Sequence, residues 1–160
     1  MDEHTPAVGP ADTDRRLRAA GVRVTAQRRA VYEALAANPL HPTVEAVYSR
    51  LKKAWPSLPL PTVYRIVEDL VSAGLIRRVA SAGGPQRLDA NAGRHQHLVC
   101  RACGRMEDWT HAPLSELSLP RALPNGFSGE TYDIRIVGLC RACSLKTGAR
   151  TRADAPRRKP

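Results

Sequence analysis

Cys100-Arg-Ala-Cys103 and Cys140-Arg-Ala-Cys143 contain every cysteine of the chain. Each C-x-x-C pair holds two sulfurs on a tight knuckle at the angle a tetrahedral zinc ion accepts, and four thiolates leave no position for water or substrate. The pattern implies a structural ion that ties the segment near residue 100 to the segment near residue 140, which constrains any path the chain takes between them. Gly104, directly after the first pair, and Gly138, just before the second, are expected to supply backbone freedom at the knuckles. Disulfides or a redox pair are the alternative. The repeated spacing and the lack of a secretory signal ahead of the cysteines favour metal, and with it a cytoplasmic setting.

The 160 residues suffice for one ordinary domain or two small ones, but aromatic residues make up only 4% of them. A domain with so few large side chains buries little apolar area, so a metal cross-link between distant segments stabilises it disproportionately. A net charge of +10 favours a polyanionic partner. Nucleic acid fits better than a membrane surface, because the chain has no long apolar run and no basic amphipathic anchor.

Residues 1–11 combine Pro6, Gly9, Pro10, Asp2 and Glu3 without an apolar period and read as a disordered arm. From there to Gly74 the pattern is helical. Asp12 or Thr13 is expected to cap a first short helix stopped by Gly21, Thr25 a second that runs to Asn38-Pro39, and Thr43 a third closed by Trp55-Pro56. In the fourth, Pro61 lies in the first turn, Val63, Ile66, Val67, Leu70 and Val71 keep the period, and Gly74 is the stop. Residues 75–79, the turn 81–84 and residues 86–89 read as a hairpin. Helices followed at once by a basic hairpin are the order of a winged helix-turn-helix, whose last helix enters the major groove while the hairpin lies along the DNA backbone. Gly83-Gly84 lacks the following Lys-Ser/Thr of a phosphate loop, so it is read as the hairpin turn.

Thr62, Tyr64 and Arg65 fall on the face of the fourth helix away from its apolar stripe, toward a groove. Arg23, Gln27 and Arg28 at the start of the second helix, with Arg77, Arg78 and Arg87 on the wing, are read as groups that position the DNA backbone. Residues 90–93 are small and suit a hinge. Beyond it, residues 97–99, 106–109 and 132–137 read as strands that bring the knuckles together, and Leu114, Leu117 and Leu119 hint at a helical turn shortened by prolines. The basic tail from residue 147 to Pro160 is read as disordered.

His95-Gln-His97 precedes the first knuckle. In an extended segment these two imidazoles project to one face and can share an ion distinct from the zinc. Asp89 and Asp108 lie close by in sequence. His41 opens the third helix and, by itself, is more readily read as a helix-end or core residue than as a ligand. Imidazoles with carboxylates suit Fe²⁺ or Mn²⁺ better than a soft metal, without excluding zinc.

Gly21-Val-Arg-Val-Thr-Ala-Gln-Arg28, His41-Pro-Thr43, Thr62-Val-Tyr-Arg65, His95-Gln-His-Leu-Val-Cys-Arg-Ala-Cys-Gly104 and Gly138-Leu-Cys-Arg-Ala-Cys-Ser144 together resemble the ferric uptake regulator family over residues 12–144. Within it the pattern is most similar to the peroxide-responsive repressors. The resemblance implies an α+β fold: an N-terminal winged helix-turn-helix over 12–89, a hinge at 90–93, and a small α/β dimerisation domain over 94–146 with the four-cysteine structural zinc. It implies a homodimer on a double-stranded DNA operator and a regulatory Fe²⁺ or Mn²⁺ held by His41, Asp89, His95, His97 and Asp108. Peroxide sensing through oxidation of a ligand histidine, His41 or His95, is also implied. Aspartate at 89 resembles the peroxide sensors, where iron sensors usually carry glutamate. Arg94 and Tyr132 stand where many relatives carry further ligands, which argues against a second regulatory site. An uptake repressor without peroxide chemistry is the alternative. The residues offer no nucleophile-base pair or cofactor loop, so an enzyme is not expected.

Overall fold

The computed structural model describes residues 9–80, 84–91, 93–118, 120, 123–129 and 132–148. The chain divides between Gly93 and Arg94 into two units. The first contains α1 (Pro10–Ala19), α2 (Ala26–Ala36), α3 (Val44–Lys52), α4 (Leu60–Ser72), β1 (Arg77–Val79) and β2 (Arg87–Asp89). The second contains β3 (Gln96–Cys100), β4 (Met106–Trp109), α5 (Ala112–Ser115), β5 (Arg135–Gly138) and α6 (Arg141–Thr147). Among the described residues no helix is long and apolar enough to cross a membrane. The arm before Gly9, the tip of the hairpin at 81–83 and the tail beyond Gly148 lie outside the described residues.

The helix starts follow local chemistry. Thr25 and Thr43 accept hydrogen bonds from the amides of Arg28 and Ala46 at 3.2 and 3.3 Å, satisfying donors that have no partner within the helix. The first helix departs from expectation. It begins at Pro10 with Gly9 as its N-cap, so residues 10 and 11 are not part of an arm, and neither Asp12 nor Thr13 is the cap. Proline suits a first helical position because its missing N–H would have no partner there. Asp12 in that first turn pairs instead with Arg15 and, at 2.7 Å, with Arg16, while Thr13 is fully buried.

The apolar stripe of α4, Val63, Ile66, Val67 and Leu70, is buried at i, i+3, i+4 and i+7 spacing. It packs in one core with Leu17, Val31, Tyr32, Leu35, Val47, Ile76 and Leu88. Each such side chain contributes about 1.5–3 kcal/mol on full burial. Two ion pairs tie the helices together at their edges: Arg29 grips both oxygens of Asp14 at 2.7 Å, and Arg28 reaches Asp69 at 2.6 Å. Gly74, at φ 70°, ends the last helix in the left-handed region that glycine adopts without strain. The chain then enters the antiparallel hairpin of β1 and β2, in which Arg77 faces Asp89 and Val79 faces Arg87. This unit is a winged helix.

In the second unit, β3 is the central strand of a sheet ordered β4-β3-β5. β4 runs antiparallel to it, and β5 runs parallel, so the stretch between β4 and β5 is a crossover. α5 is a single turn with Pro113 in its first turn. α6 is not expected from the sequence, and its end overlaps the tail read as disordered from residue 147. Cys140 is its N-cap, Ser144 is buried, and the helix ends at Gly148 with φ 63°. Residue 147 therefore belongs to a helix rather than to the tail. Leu98, Ile136 and Leu145 are exposed and line a groove of about 700 Å³, while Val137, also exposed, projects to the opposite side of β5.

Candidate metal centres

The four cysteines converge, with all their sulfurs within 4.8 Å of one another. None is in a disulfide. The Cys103 and Cys140 sulfurs are 3.8 Å apart, which is the edge of a tetrahedron whose centre lies about 2.3 Å from each sulfur, the Zn–S bond length. The first knuckle is built by local hydrogen bonds: the Gly104 amide donates to the Cys100 carbonyl at 2.8 Å, and the Cys100 amide to the Arg105 carbonyl at 2.8 Å. Gly104 has φ 70° and needs to be glycine for that turn. Gly138 does not. It is the last residue of β5, pairs with Cys100 and has no positive φ, so the flexibility expected of it is not used. Its carbonyl accepts from the Arg101 amide at 2.9 Å, which docks one knuckle on the other.

The electrostatics of the cluster call for a cation. Amide donors from Cys140 and Cys103 pull the Cys100 thiol down to about 6, while hydrogen bonding with Cys140 and Cys103 pushes the Cys143 thiol up to about 12. Four sulfurs this close cannot all be thiolates without a positive charge at their centre. The cluster fits a structural zinc ion with no open position.

The nitrogen and oxygen donors are presented separately by the two units. In the winged helix, His41 and Asp89 are both buried, with His41 Nε2 3.7 Å from Asp89 Oδ1. The loop before α3 is fastened to the wing: the Leu88 amide donates to the Pro42 carbonyl at 3.0 Å, and Arg87 Nη1 to the His41 carbonyl at 3.0 Å. These bonds hold His41 at φ 51°, a left-handed conformation that costs a non-glycine residue about 1–3 kcal/mol and is kept where surrounding contacts over-determine it. The Asp89 carboxylate is oriented from two sides, Oδ2 accepting from Arg77 Nη2 at 2.9 Å and Oδ1 from the Asn91 amide at 2.7 Å.

In the second unit, His95 and His97 meet across their Nε2 atoms at 3.0 Å. Asp108, opposite His97 in the β3-β4 register, places Oδ1 3.5 Å from His95 Nε2 and 3.9 Å from His97 Nε2. Both imidazoles are nearly inaccessible, at 2% and 3% of side-chain surface. Hard oxygen with borderline nitrogen donors fits a divalent iron, manganese or zinc ion. Sequence reasoning missed two groups here. Gln96, between the histidines in sequence but facing the other side of β3, is buried, accepts from the His111 amide and donates to Ser115 Oγ, both at 2.9 Å. Asp133 places Oδ1 3.3 Å from His97 Nδ1. No spacing rule connects residues 97 and 133; only the parallel pairing of β3 with β5 does.

The expected DNA-facing residues divide into two sets. Thr62 is half-buried, Tyr64 and Arg65 are exposed on α4, and the Tyr64 hydroxyl donates to Glu45. Arg23 is exposed and Gln27 half-buried. The other guanidiniums have partners within the unit: Arg28 with Asp69, Arg77 with Asp89, Arg78 with Glu68 and Gln86, Arg87 with the carbonyls of Leu40 and His41.

The sequence profile of the ferric uptake regulator family matches residues 19–137. The chain belongs to this family. Its curated relatives include the peroxide operon regulator of Bacillus subtilis strain 168, 31% identical over 81% of this chain and 90% of that protein. The peroxide-responsive repressor PerR of Staphylococcus aureus strain USA300 is 28% identical over 81% and 88%. Among solved structures, the ferric uptake regulator of Pseudomonas aeruginosa with manganese superposes with a TM-score of 0.65 at 27% identity, covering 81% of this chain and 98% of that one. Family membership makes the protein a metal-responsive regulator, and transcriptional regulation rather than catalysis is what the family does.

Proposed function

We propose that the chain is a metal-dependent, DNA-binding transcriptional repressor that senses hydrogen peroxide through iron-catalysed oxidation of a ligand histidine. The observation that carries the reading is the division of the donor set. His41 and Asp89 in the winged helix are too few to hold an ion tightly, and His95, His97 and Asp108 leave coordination positions open, so one ion shared by both sets completes a site that neither unit completes alone. Such an ion restricts how the winged helix is carried. If only that arrangement suits the operator, metal and DNA each tighten the other's binding by the same factor.

Several features support the DNA and dimer parts of the reading. The net charge is +10, and Arg65 on the exposed face of α4 has no hydrogen-bond or ion-pair partner among the described residues. Thr62 and Tyr64 share its face, with Arg23 and Gln27 at the start of α2 and Arg28, Arg77, Arg78 and Arg87 as auxiliary phosphate contacts. The exposed apolar face of Leu98, Ile136 and Leu145 suits a second copy of the chain, and a homodimer presents two reading helices to successive major grooves.

Peroxide sensitivity is supported by the relatives named for it and by aspartate at position 89. Ferrous iron, when bound, supplies the means to activate hydrogen peroxide. With iron held by these residues, the ring C–H of His41 or His95 would be the group to take up one oxygen atom of the peroxide, the other leaving with two hydrogens as water. The residue that results donates poorly, and the site opens. An uptake regulator without this chemistry is the second reading, favoured by the likeness to a manganese-loaded ferric uptake regulator.

A DNA-shift titration with Fe²⁺, Mn²⁺ and Zn²⁺, before and after peroxide, tests both. We expect metal-dependent binding that peroxide abolishes only in the Fe²⁺ form, with one added oxygen on a peptide containing His41 or His95. His41→Ala should remove the metal dependence while leaving one zinc per chain. Equal operator binding with and without divalent ion would refute the proposal, and peroxide resistance of the Fe²⁺ form would select the uptake regulator.

A further inference from the structure

We infer that Asp133 is a positioning residue for His97, holding its ring in the tautomer that presents Nε2 to the regulatory metal; the inference rests on the regulatory-site reading above. The two nitrogens of His97 face different partners. Nε2 lies on the side of His95 Nε2, at 3.0 Å, and of Asp108 Oδ1, at 3.9 Å, whereas Nδ1 lies 3.3 Å from Asp133 Oδ1. A carboxylate only accepts hydrogen bonds, so this contact places the proton of the neutral imidazole on Nδ1 and leaves the Nε2 lone pair for a cation. Outer carboxylates of this kind orient metal-binding histidines and raise their basicity, and their loss typically weakens metal binding by about 10–100-fold.

The backbone explains why Asp133 is in place. The His97 amide donates to the Ile134 carbonyl at 3.0 Å, and His97 pairs with Arg135 in the parallel β3-β5 register, which sets Asp133 beside the ring rather than among the donors on its far side. The second oxygen of Asp133 is ion-paired with Arg135, 3.2 Å from its Nε, so the carboxylate has a charged partner at its other end. Asp133 is 49% exposed, so water competes for the contact and the effect belongs near the lower end of that range, about tenfold. The same exposure means that its truncation opens no core.

The test uses the full-length, zinc-loaded protein and compares wild type with Asp133→Ala, Asp133→Ser and Asp133→Asn. Long-range proton-nitrogen NMR of the histidine rings, recorded without regulatory metal, reads the tautomer. Calorimetric titration with Mn²⁺ reads the affinity, and zinc content with amide protection at Val99 and Met106 reads the fold. We expect His97 to carry its proton on Nδ1 in wild type and in Asp133→Asn, which keeps an acceptor oxygen. It should shift toward Nε2 in the alanine variant and in the serine variant, whose hydroxyl is too short to reach Nδ1, with Mn²⁺ bound about tenfold more weakly. A tautomer that does not move, or one that moves with unchanged affinity, overturns the inference while leaving the regulatory site standing. Wild-type protein that binds no Mn²⁺ beyond its zinc overturns both.

Discussion

Replacing Cys103 by serine isolates metal ligation from packing, because Cys103 is exposed and its sulfur fills no core. The second unit depends on that ligation. Among its described residues the buried apolar side chains are Val99, Cys100 and Met106, against the extensive core of the winged helix. Structural zinc sites contribute about 10–16 kcal/mol to the folding of small domains. Shared evenly over four thiolates at tetrahedral spacing, one ligand is worth about 2.5–4 kcal/mol, or a loss of zinc affinity of roughly two to three orders of magnitude. That is a large part of the about 5–15 kcal/mol that separates folded from unfolded domains. Chelator competition should show the weaker affinity. Hydrogen exchange should show amide protection falling at Val99, Cys100 and Met106 while Val31 and Leu70 keep theirs. Unchanged zinc affinity, or an equal loss of protection in both units, would refute the reasoning.

Leu70 is fully buried in the first unit, so Leu70→Ala should destabilise that unit by about 2–5 kcal/mol, read by chemical denaturation, without altering zinc content. Asp14 is held below the ordinary carboxylate value by its hydrogen bonds from Arg29. Its contribution is therefore complete above that ordinary value and is lost as pH falls through the lower folded-state value, so Asp14→Asn should flatten the acid side of the stability curve of the winged helix. Arg65→Ala should reduce the slope of log affinity against log salt by about 0.9 for each operator phosphate that the guanidinium neutralises, and leave the thermal midpoint unchanged. Arg28→Ala should lower that midpoint because its ion pair with Asp69 tethers α2 to α4.

The helices of the winged helix are legible in the sequence because the signals that make them are local. Thr25 and Thr43 cap with their own side chains, Gly74 stops a helix with its own backbone, and the stripe of α4 needs only the helical period. The start of α1 is misleading because two capping side chains, Asp12 and Thr13, lie just inside a helix that Pro10 begins. α6 escapes notice for a related reason: it is polar and short, and what it offers the fold is Cys140 and Cys143 rather than an apolar stripe.

By itself, the order of residues determined the donor chemistry: four sulfurs in two knuckles, two imidazoles two residues apart and carboxylates near them in sequence, because ligand type and spacing belong to the residues themselves. Tertiary structure alone decided which donors meet and how each is oriented. Asp133 reaches His97 only because β5 returns parallel to β3, Arg77 holds Asp89 only because the wing is antiparallel, and His41 keeps a strained backbone only because β2 is bonded to its loop. Those contacts join residues far apart in the chain, and register and chain reversal, which no local propensity encodes, bring them together.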